Sequence, residues 1–400
     1  VQHVVVTSIG EMIGLKGAIV NFVVRKIKKA VPKWNIPNHQ SFGDVLAKGA
    51  QIQWQRPQKS QDDIAFLQYT GGTTGVSKGA ILLHRNILSN VLQTEVWLEP
   101  ALQKRNIEQL VFLCALPLYH IFALTACALF GMRKGAMLIL VPNPRDINGF
   151  IKMLSKHPQI HIFPGVNTLF NALLHHPQFD SHLLPDLLVT IGGGTAVQKG
   201  VADRWQKVTG VPIAEGYGLS ETSPVACVNT PIITAFTGTI GLPVPGTEVK
   251  IVDDAGAELP LGAPGEIAIK GPQVMAGYWN KPEDTRNVFT KDGFFLSGDI
   301  GVMNEDGYTK IVDRKKDMIL VSGFNVYPNE LEEYFSNLRL VITNSTSIPK
   351  ETVFGFRRIL RKGKFATYYG LTEASRSTFM IFDSDDKAAS VGLPAPGVQI

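Results

Sequence analysis

The sequence has only three cysteines in 400 residues, Cys114, Cys127 and Cys227, and no CxxC pair. That excludes a disulfide-stapled small scaffold and a cysteine-based zinc module. Packed thiols in a reducing, cytoplasmic setting are the expectation. Charge of one sign is scarce as well: 39 Lys and Arg against 34 Asp and Glu leave a net of +5. So small an excess gives no argument for nucleic acid, and an anionic small molecule fits equally well. Uninterrupted apolar runs of membrane-span length are missing. Residues 111–131, VFLCALPLYHIFALTACALFG, are long enough, but Pro117, Tyr119 and His120 break them. A buried strand, a turn and a buried helix is the better reading. No basic leader with a cleavage site opens the chain, and its first residue is Val1. The reading therefore expects a fragment whose start lies upstream.

What is present is an ordinary globular composition, 44% hydrophobic and 18% charged, at a length that suggests two or three domains. Near the start, Leu15, Ala18, Ile19, Phe22, Val23 and Ile27 recur at helical spacing. Arg25, Lys26, Lys28, Lys29 and Lys33 follow as a basic cluster. Such a segment can rest on an anionic membrane surface, or it can be a surface helix with a solvated basic end. From 63 to 213, short apolar runs (110–116, 136–141, 187–191) alternate with helical patterns (147–155, 169–175). This βαβα rhythm points to an α/β, doubly wound large domain. Between about 231 and 312, short strands punctuated by Gly and Pro suggest a β-rich subdomain, for example at 248–252, 265–270 and 308–312.

An internal repeat follows. Tyr369-Gly370-Leu371-Thr372-Glu373 echoes Tyr217-Gly218-Leu219-Ser220-Glu221 at an offset of 152. Gly392-Leu393-Pro394 echoes Gly241-Leu242-Pro243 at 151, and 342–348 falls opposite 191–197. Residues 335–400 thus read as a diverged copy of 187–251, joined by gene fusion or by misassembly of two related sequences. A single copy cannot build a solenoid. Its counterpart already fills that place in the fold, so 338–400 is expected to pack poorly. For want of a second phosphate loop, it is expected to bind no nucleotide.

The strongest chemical signal is Tyr69-Thr70-Gly71-Gly72-Thr73-Thr74-Gly75-Val76-Ser77-Lys78-Gly79. Closely set glycines let the backbone approach a ligand without Cβ clashes. Their N–H groups, the hydroxyls and the Lys78 ammonium suit a polyphosphate. The segment follows the apolar run 64–67 and precedes a helical pattern, a context for anion binding at a helix start. No Gly-Lys-Ser/Thr ends it, so it is not a Walker A loop. A tight turn is the bland alternative.

This loop resembles the phosphate loop of the adenylate-forming superfamily, and further motifs stand in the order that superfamily shows. Gly192-Gly193-Gly194 resembles its adenine loop. Gly216-Tyr217-Gly218-Leu219-Ser220-Glu221 resembles the segment that stacks on adenine through Tyr and reaches Mg²⁺ through Glu. Gly298-Asp299 resembles the pair that holds the ribose hydroxyls, and Asp313-Arg314-Lys315-Lys316-Asp317 the hinge, with Arg314 near ribose and phosphate. Glu221 suits the role as a hard oxygen ligand, and Asp299 as a carboxylate facing a diol. A surface carboxylate, a turn and a solvated charged turn are the respective alternatives for Glu221, Asp299 and Arg314.

Other stretches resemble the long-chain fatty acid–CoA ligase subgroup. In PLYH, His120 would lie near the acyl carboxylate, unless it is a satisfied core histidine. Residues 165–171 resemble an acyl-pocket wall, and 321–328 the start of the small C-terminal domain. The resemblance implies ATP, Mg²⁺ and coenzyme A and a long-chain fatty acid as substrate; a homodimer, and peripheral membrane contact through the basic segment near the start, are compatible with it. It divides the chain into a partial large domain at 1–312, a hinge at 313–334 and the repeat. A coumarate-type acyl-CoA synthetase and a non-catalytic nucleotide-binding remnant are the alternatives. The family's C-terminal lysine has no counterpart, because Lys362 and Lys364 fall in the repeat.

Overall fold

A computed structural model describes residues 3–70, 77–103 and 105–315, and beyond them Phe354 and the short strands named below. The chain divides into two compact units, Val1–Ser60 and Gln61–Ile400. In the first, β1 (Val5–Val6) precedes α1 (Gly14–Phe22), which runs on into a π-helical turn, Val23–Ile27. β2 (Gln40–Ser41) pairs in parallel with β1 and leads into α2 (Phe42–Gly49). The Ser41 hydroxyl caps α2 by accepting from the Asp44 amide. Leu15, Ile19, Phe22 and Ile27, spaced for a helix, do lie on one, and all four are exposed, Leu15 by 88%.

The second unit opens with an antiparallel hairpin, β3 (Ile64–Thr70) and β4 (Lys78–Leu83), followed by α3 (His84–Leu102). β5 (Val111–Cys114) leads through a turn to a π-helical stretch, Phe122–Leu129, and α4 (Phe130–Arg133). β6 (Met137–Leu140), α5 (Ile147–Lys156), β7 (Ile162–Gly165), α6 (Asn167–Leu174), β8 (Val189–Gly192) and α7 (Lys199–Thr209) come next. β9 (Ile213–Gly218), β10 (Val225–Val228) and β11 (Leu242–Pro243) complete a seven-stranded sheet, ordered β11-β10-β9-β8-β7-β5-β6.

The five strands from β9 to β6 in that order are parallel, and β10 and β11 run antiparallel to their neighbours. All four residues of β5 and of β7 are buried, as strands covered on both faces must be. Along β5, alternate residues enter two cores. Val111 and Leu113 join Phe150, Phe163, Phe170 and Trp205, whereas Phe112 meets Phe130 and Val91. The Trp205 indole N–H donates to Thr190 Oγ1 at 3.0 Å, so the buried ring leaves no donor unpaired. The sheet is therefore mixed α/β and covered on both faces.

An antiparallel sheet follows, made of β12 (Glu248–Val252), β13 (Gly265–Lys270), β14 (Phe295–Met303) and β15 (Thr309–Arg314). The short helix α8 (Pro282–Asn287) lies in the connection between β13 and β14. β16 (Ile319–Val321) and β17 (Phe324–Val326) form a hairpin.

The last described sheet is ordered β18 (Leu340–Asn344), β19 (Lys364–Tyr369), β20 (Thr378–Ile381) and β21 (Leu393–Pro394). Its pairings run parallel, antiparallel, antiparallel, as they do through β8-β9-β10-β11. Thr378 pairs with Pro394 and Phe379 with Leu393, each 151 residues beyond the pairs Cys227–Pro243 and Val228–Leu242. The β18–β19 register is one residue off that offset. Residues 370–373 and the packing of 338–400 lie outside the described residues.

Candidate active site

A cavity of about 2010 Å³ opens where the C-terminal ends of β8 and β9 meet the β14–β15 edge. It exceeds the roughly 300–1,000 Å³ of an ordinary ligand pocket, leaving room for more than one substrate. Thr70, His120, Gly192, Gly193, Gly194, Tyr217, Gly218, Glu221, Asp299 and Arg314 all line it. Of the other residues singled out in the sequence, Gly71, Gly72, Thr73, Thr74 and Gly75 lie outside the described residues, and Ser77, Lys78 and Gly79 do not line the wall.

The glycine-rich segment joins two antiparallel strands, with Thr70 paired to Lys78 and Tyr69 to Gly79. The expectation of a helix start is thereby corrected. Lys78–Leu83 is apolar beyond its first residue and forms β4, so α3 begins only at His84. No helix starts directly after the segment, so a helix terminus does not supply its anion-binding groups.

Asp299 is where three elements meet. It stands opposite Arg314 across β14–β15, with Arg314 Nε 3.7 Å from Asp299 Oδ1. The Tyr217 hydroxyl, from β9, donates to Asp299 Oδ2 at 2.7 Å. Burial, and then the Asp299 charge, raise the Tyr217 phenol well above its ordinary value, so it stays a donor. Behind Asp299, buried Glu266 accepts from the Gly298 amide with one oxygen and from Lys315 Nζ with the other, both at 2.9 Å. Burial works against the Lys315 charge, but Asp254 and Glu266 outweigh it and raise its pKa.

The glycines after β8 are held from two sides. Gly193 N–H donates to Gly165 O at 3.2 Å, and Asn167 Oδ1 accepts from the Gln198 amide at 3.0 Å. A Cβ on Gly193 would come within 3.0 Å of the Phe122 ring. Residues 165–171, expected to wall an acyl pocket, buttress this loop instead. Leu169 and Phe170 are buried against Phe163 and Trp205 in the core, and none of the seven lines the cavity. Gly218 is required where β9 passes β10, because a Cβ there would stand 1.8 Å from Pro224 O. A buried amide network supports the same turn, with Asn90 of α3 bonding both the N–H and the C=O of Val225.

Several groups carry no motif and were not singled out in the sequence. Glu215 accepts from the Val197 amide at 3.0 Å, and burial pushes its carboxyl up to about 7. Tyr278 donates its hydroxyl to Glu221 Oε1 at 2.7 Å. Asp284 forms a 2.6 Å ion pair with the motif lysine Lys78. An acidic residue directly before Gly-Tyr-Gly was the one available signal for Glu215. His120 Nδ1 accepts from the Phe122 amide at 3.2 Å, and partial burial lowers the pKa of its ring. Apolar side chains continue the wall past Phe122, among them Trp97, Leu98, Ala126 and Val228.

Glu221 is buried, and Tyr278 orients one of its oxygens. Among the described residues no group of three His, Cys, Asp or Glu could hold a metal unaided. This donor set fits Mg²⁺, which takes one or two carboxylates together with substrate phosphates.

A doubly covered α/β sheet with glycine turns and a carboxylate at its strand ends is an architecture common among nucleotide-binding proteins. The chain belongs to the AMP-binding enzyme family, whose model matches residues 18–279. It is 52% identical over 334 residues to a long-chain-fatty-acid–CoA ligase of Yersinia pestis, covering 83% of this chain and 58% of that protein. The corresponding ligase of Escherichia coli is 51% identical over 334 residues, covering 83% of this chain and 59% of that protein. The chain thus spans less than two thirds of the curated relatives it matches. Among solved structures, ATP-bound MatB from Rhodopseudomonas palustris matches with a TM-score of 0.69 at 25% identity, over 93% of this chain and 77% of that one.

Proposed function

We propose that the chain is a long-chain fatty acid–CoA ligase of the AMP-forming type. The observation that carries this reading is that Tyr217 and Arg314 meet at Asp299 in one cavity, which Glu221 and the glycine turn 192–194 also line. The Asp299 carboxylate accepts the ribose hydroxyls, Arg314 lies beside ribose and phosphate, and adenine rests against the glycine turn and Tyr217. Glu221 holds Mg²⁺, which when bound neutralises charge on the ATP phosphates. Lys78 and the amides of residues 71–75 bind the same phosphates. His120 turns its ring toward the acyl carboxylate, which attacks the α-phosphorus to give acyl-AMP and pyrophosphate. Coenzyme A thiolate then attacks the acyl carbon of the mixed anhydride after the segment beyond Asp313 rotates, breaking the acyl–phosphate C–O bond and releasing AMP as the acyl-CoA thioester forms.

The apolar wall at Trp97, Leu98, Ala126 and Val228 supports an alkyl chain as the acyl group. The exposed apolar residues of α1 and the basic cluster after it support peripheral contact with an anionic membrane. No helix among the described residues is long and apolar enough to cross one. Residues 1–312 serve as the large domain, 313–334 as the hinge and 335–400 as a second copy of 187–251. The matching order of β18–β21 and β8–β11 supports the last assignment. A homodimer is compatible with this reading.

ATP–pyrophosphate exchange tests the proposal. Exchange that depends on palmitate and not on 4-coumarate is expected. Exchange driven by 4-coumarate favours the coumarate-type reading, and ATP binding with no exchange under either acid favours a nucleotide-binding protein without turnover.

A further inference from the structure

Lys78 and Glu221, the two charged groups assigned to phosphate and Mg²⁺, do not touch each other, yet both touch Tyr278. The phenol donates to Glu221 Oε1 at 2.7 Å, and Lys78 Nζ stands 5.2 Å from the centroid of the same ring. That distance is within cation–π range. Tyr278 is 9% exposed, and its backbone is fixed by the hydrogen bond from its amide to Thr285 Oγ1 at 2.9 Å. Gly277 and Trp279 on either side bond the carbonyl or amide groups of β4 at Ile81 and Gly79. The ring therefore has little freedom, and the two charges are registered against one rigid phenol. Lys78 is also held by Asp284, in the first turn of α8, at 2.6 Å. Both partners are about one third exposed, and Lys78 does not reach the cavity wall.

We propose that Tyr278 is a positioning residue that aims the Glu221 carboxylate at the metal, and that Asp284 holds Lys78 in a resting position from which a polyphosphate withdraws it. This rests on the assignment of Glu221 and Lys78 to the nucleotide site. Two physical points support it. A carboxylate held through one oxygen by a neutral donor keeps its other oxygen for a cation. An ion pair this exposed is worth at most about fivefold in an equilibrium constant. A triphosphate with several charges competes for the ammonium readily, and the helix carrying Asp284 need not move.

The test is equilibrium binding of ATP to this chain at a series of Mg²⁺ concentrations, with inorganic tripolyphosphate as a second probe. Tyr278→Phe keeps the ring and the cation–π contact and removes only the hydroxyl. It is expected to raise the Mg²⁺ needed for half-maximal ATP binding by about tenfold, as loss of a hydrogen bond to a charged group does. ATP affinity at saturating Mg²⁺ is expected to change little. Asp284→Asn is expected to tighten tripolyphosphate binding about two- to fivefold.

A Tyr278→Phe variant with the Mg²⁺ dependence of the unsubstituted protein would overturn the positioning role. Unchanged or weaker tripolyphosphate binding by Asp284→Asn would overturn the resting contact. Glu221→Gln separates this inference from the reading beneath it. If Glu221→Gln loses the Mg²⁺ dependence while Tyr278→Phe does not, only the inference fails. If Glu221→Gln and the unsubstituted protein respond alike, or neither binds ATP, the nucleotide assignment fails with it.

Discussion

Tyr217 and Asp299 are 82 residues apart and share a 2.7 Å hydrogen bond between strands of two different sheets. The bond ties β9 to the β14–β15 pair, across which Asp299 also faces Arg314. Tyr217→Phe removes one charge-assisted hydrogen bond, worth about 1.5–3 kcal/mol. ATP affinity is expected to fall about tenfold or more, with the ring still packed in its core. Titration calorimetry checks this, and affinity within about twofold of the unsubstituted protein would show that the bond does not order the site.

Lys78→Ala and Glu221→Ala are each expected to slow adenylation by about 10²–10³, the usual effect of losing one charge-stabilising group. Palmitate-dependent pyrophosphate exchange is the readout. Rates within about twofold for both variants would remove these residues from the proposed chemistry.

Glu215 makes the fold sensitive to pH. Its folded-state pKa, about 7, lies above the ordinary 4.5. Between these values the folded protein binds more protons than the unfolded chain, so this group's contribution is fully present below about pH 4.5. It is lost as pH rises toward about 7, an effect on the order of a few kcal/mol at most. Denaturant midpoints across that window should fall with rising pH for the unsubstituted protein and flatten for Glu215→Gln. Parallel profiles would show that Glu215 titrates normally.

Gly218→Ala places a methyl group 1.8 Å from Pro224 O, a contact that backbone movement alone can relieve. A loss of about 1–3 kcal/mol or more in stability is expected, as for other overpacked sites. ATP binding should weaken with it, since Tyr217 is the adjacent residue. An unchanged thermal midpoint would mean that the β9–β10 crossing is looser than its geometry implies.

Much of this architecture was legible in the sequence because the signals are local. Short apolar runs separated by helical patterns gave β5, β6, β8, α5 and α6 within a few residues of their ends. Glycine turns and the Gly-Asp pair marked residues that line one cavity, since few backbones need those residues so close together. The misreadings share one cause, which is contact across the chain. Lys78–Leu83 pairs with Ile64–Thr70 and becomes a strand, and nothing in its own composition separates that from the start of the next helix. Leu169 and Phe170 are as apolar as any acyl-pocket wall, and only the position of Trp205 decides that they face the core. Tyr278, Asp284 and Glu266 carry no spacing signal. Their partners lie 57, 206 and 32 residues away along the chain.

Diffraction from crystals of this chain grown with ATP tests the central claim most directly. The account predicts the ribose within hydrogen-bond distance of Asp299, the adenine against residues 192–194, and the triphosphate directed toward Lys78 and Glu221. Nucleotide density elsewhere on the molecule, with the cavity around Asp299 empty at saturating ATP, would contradict it.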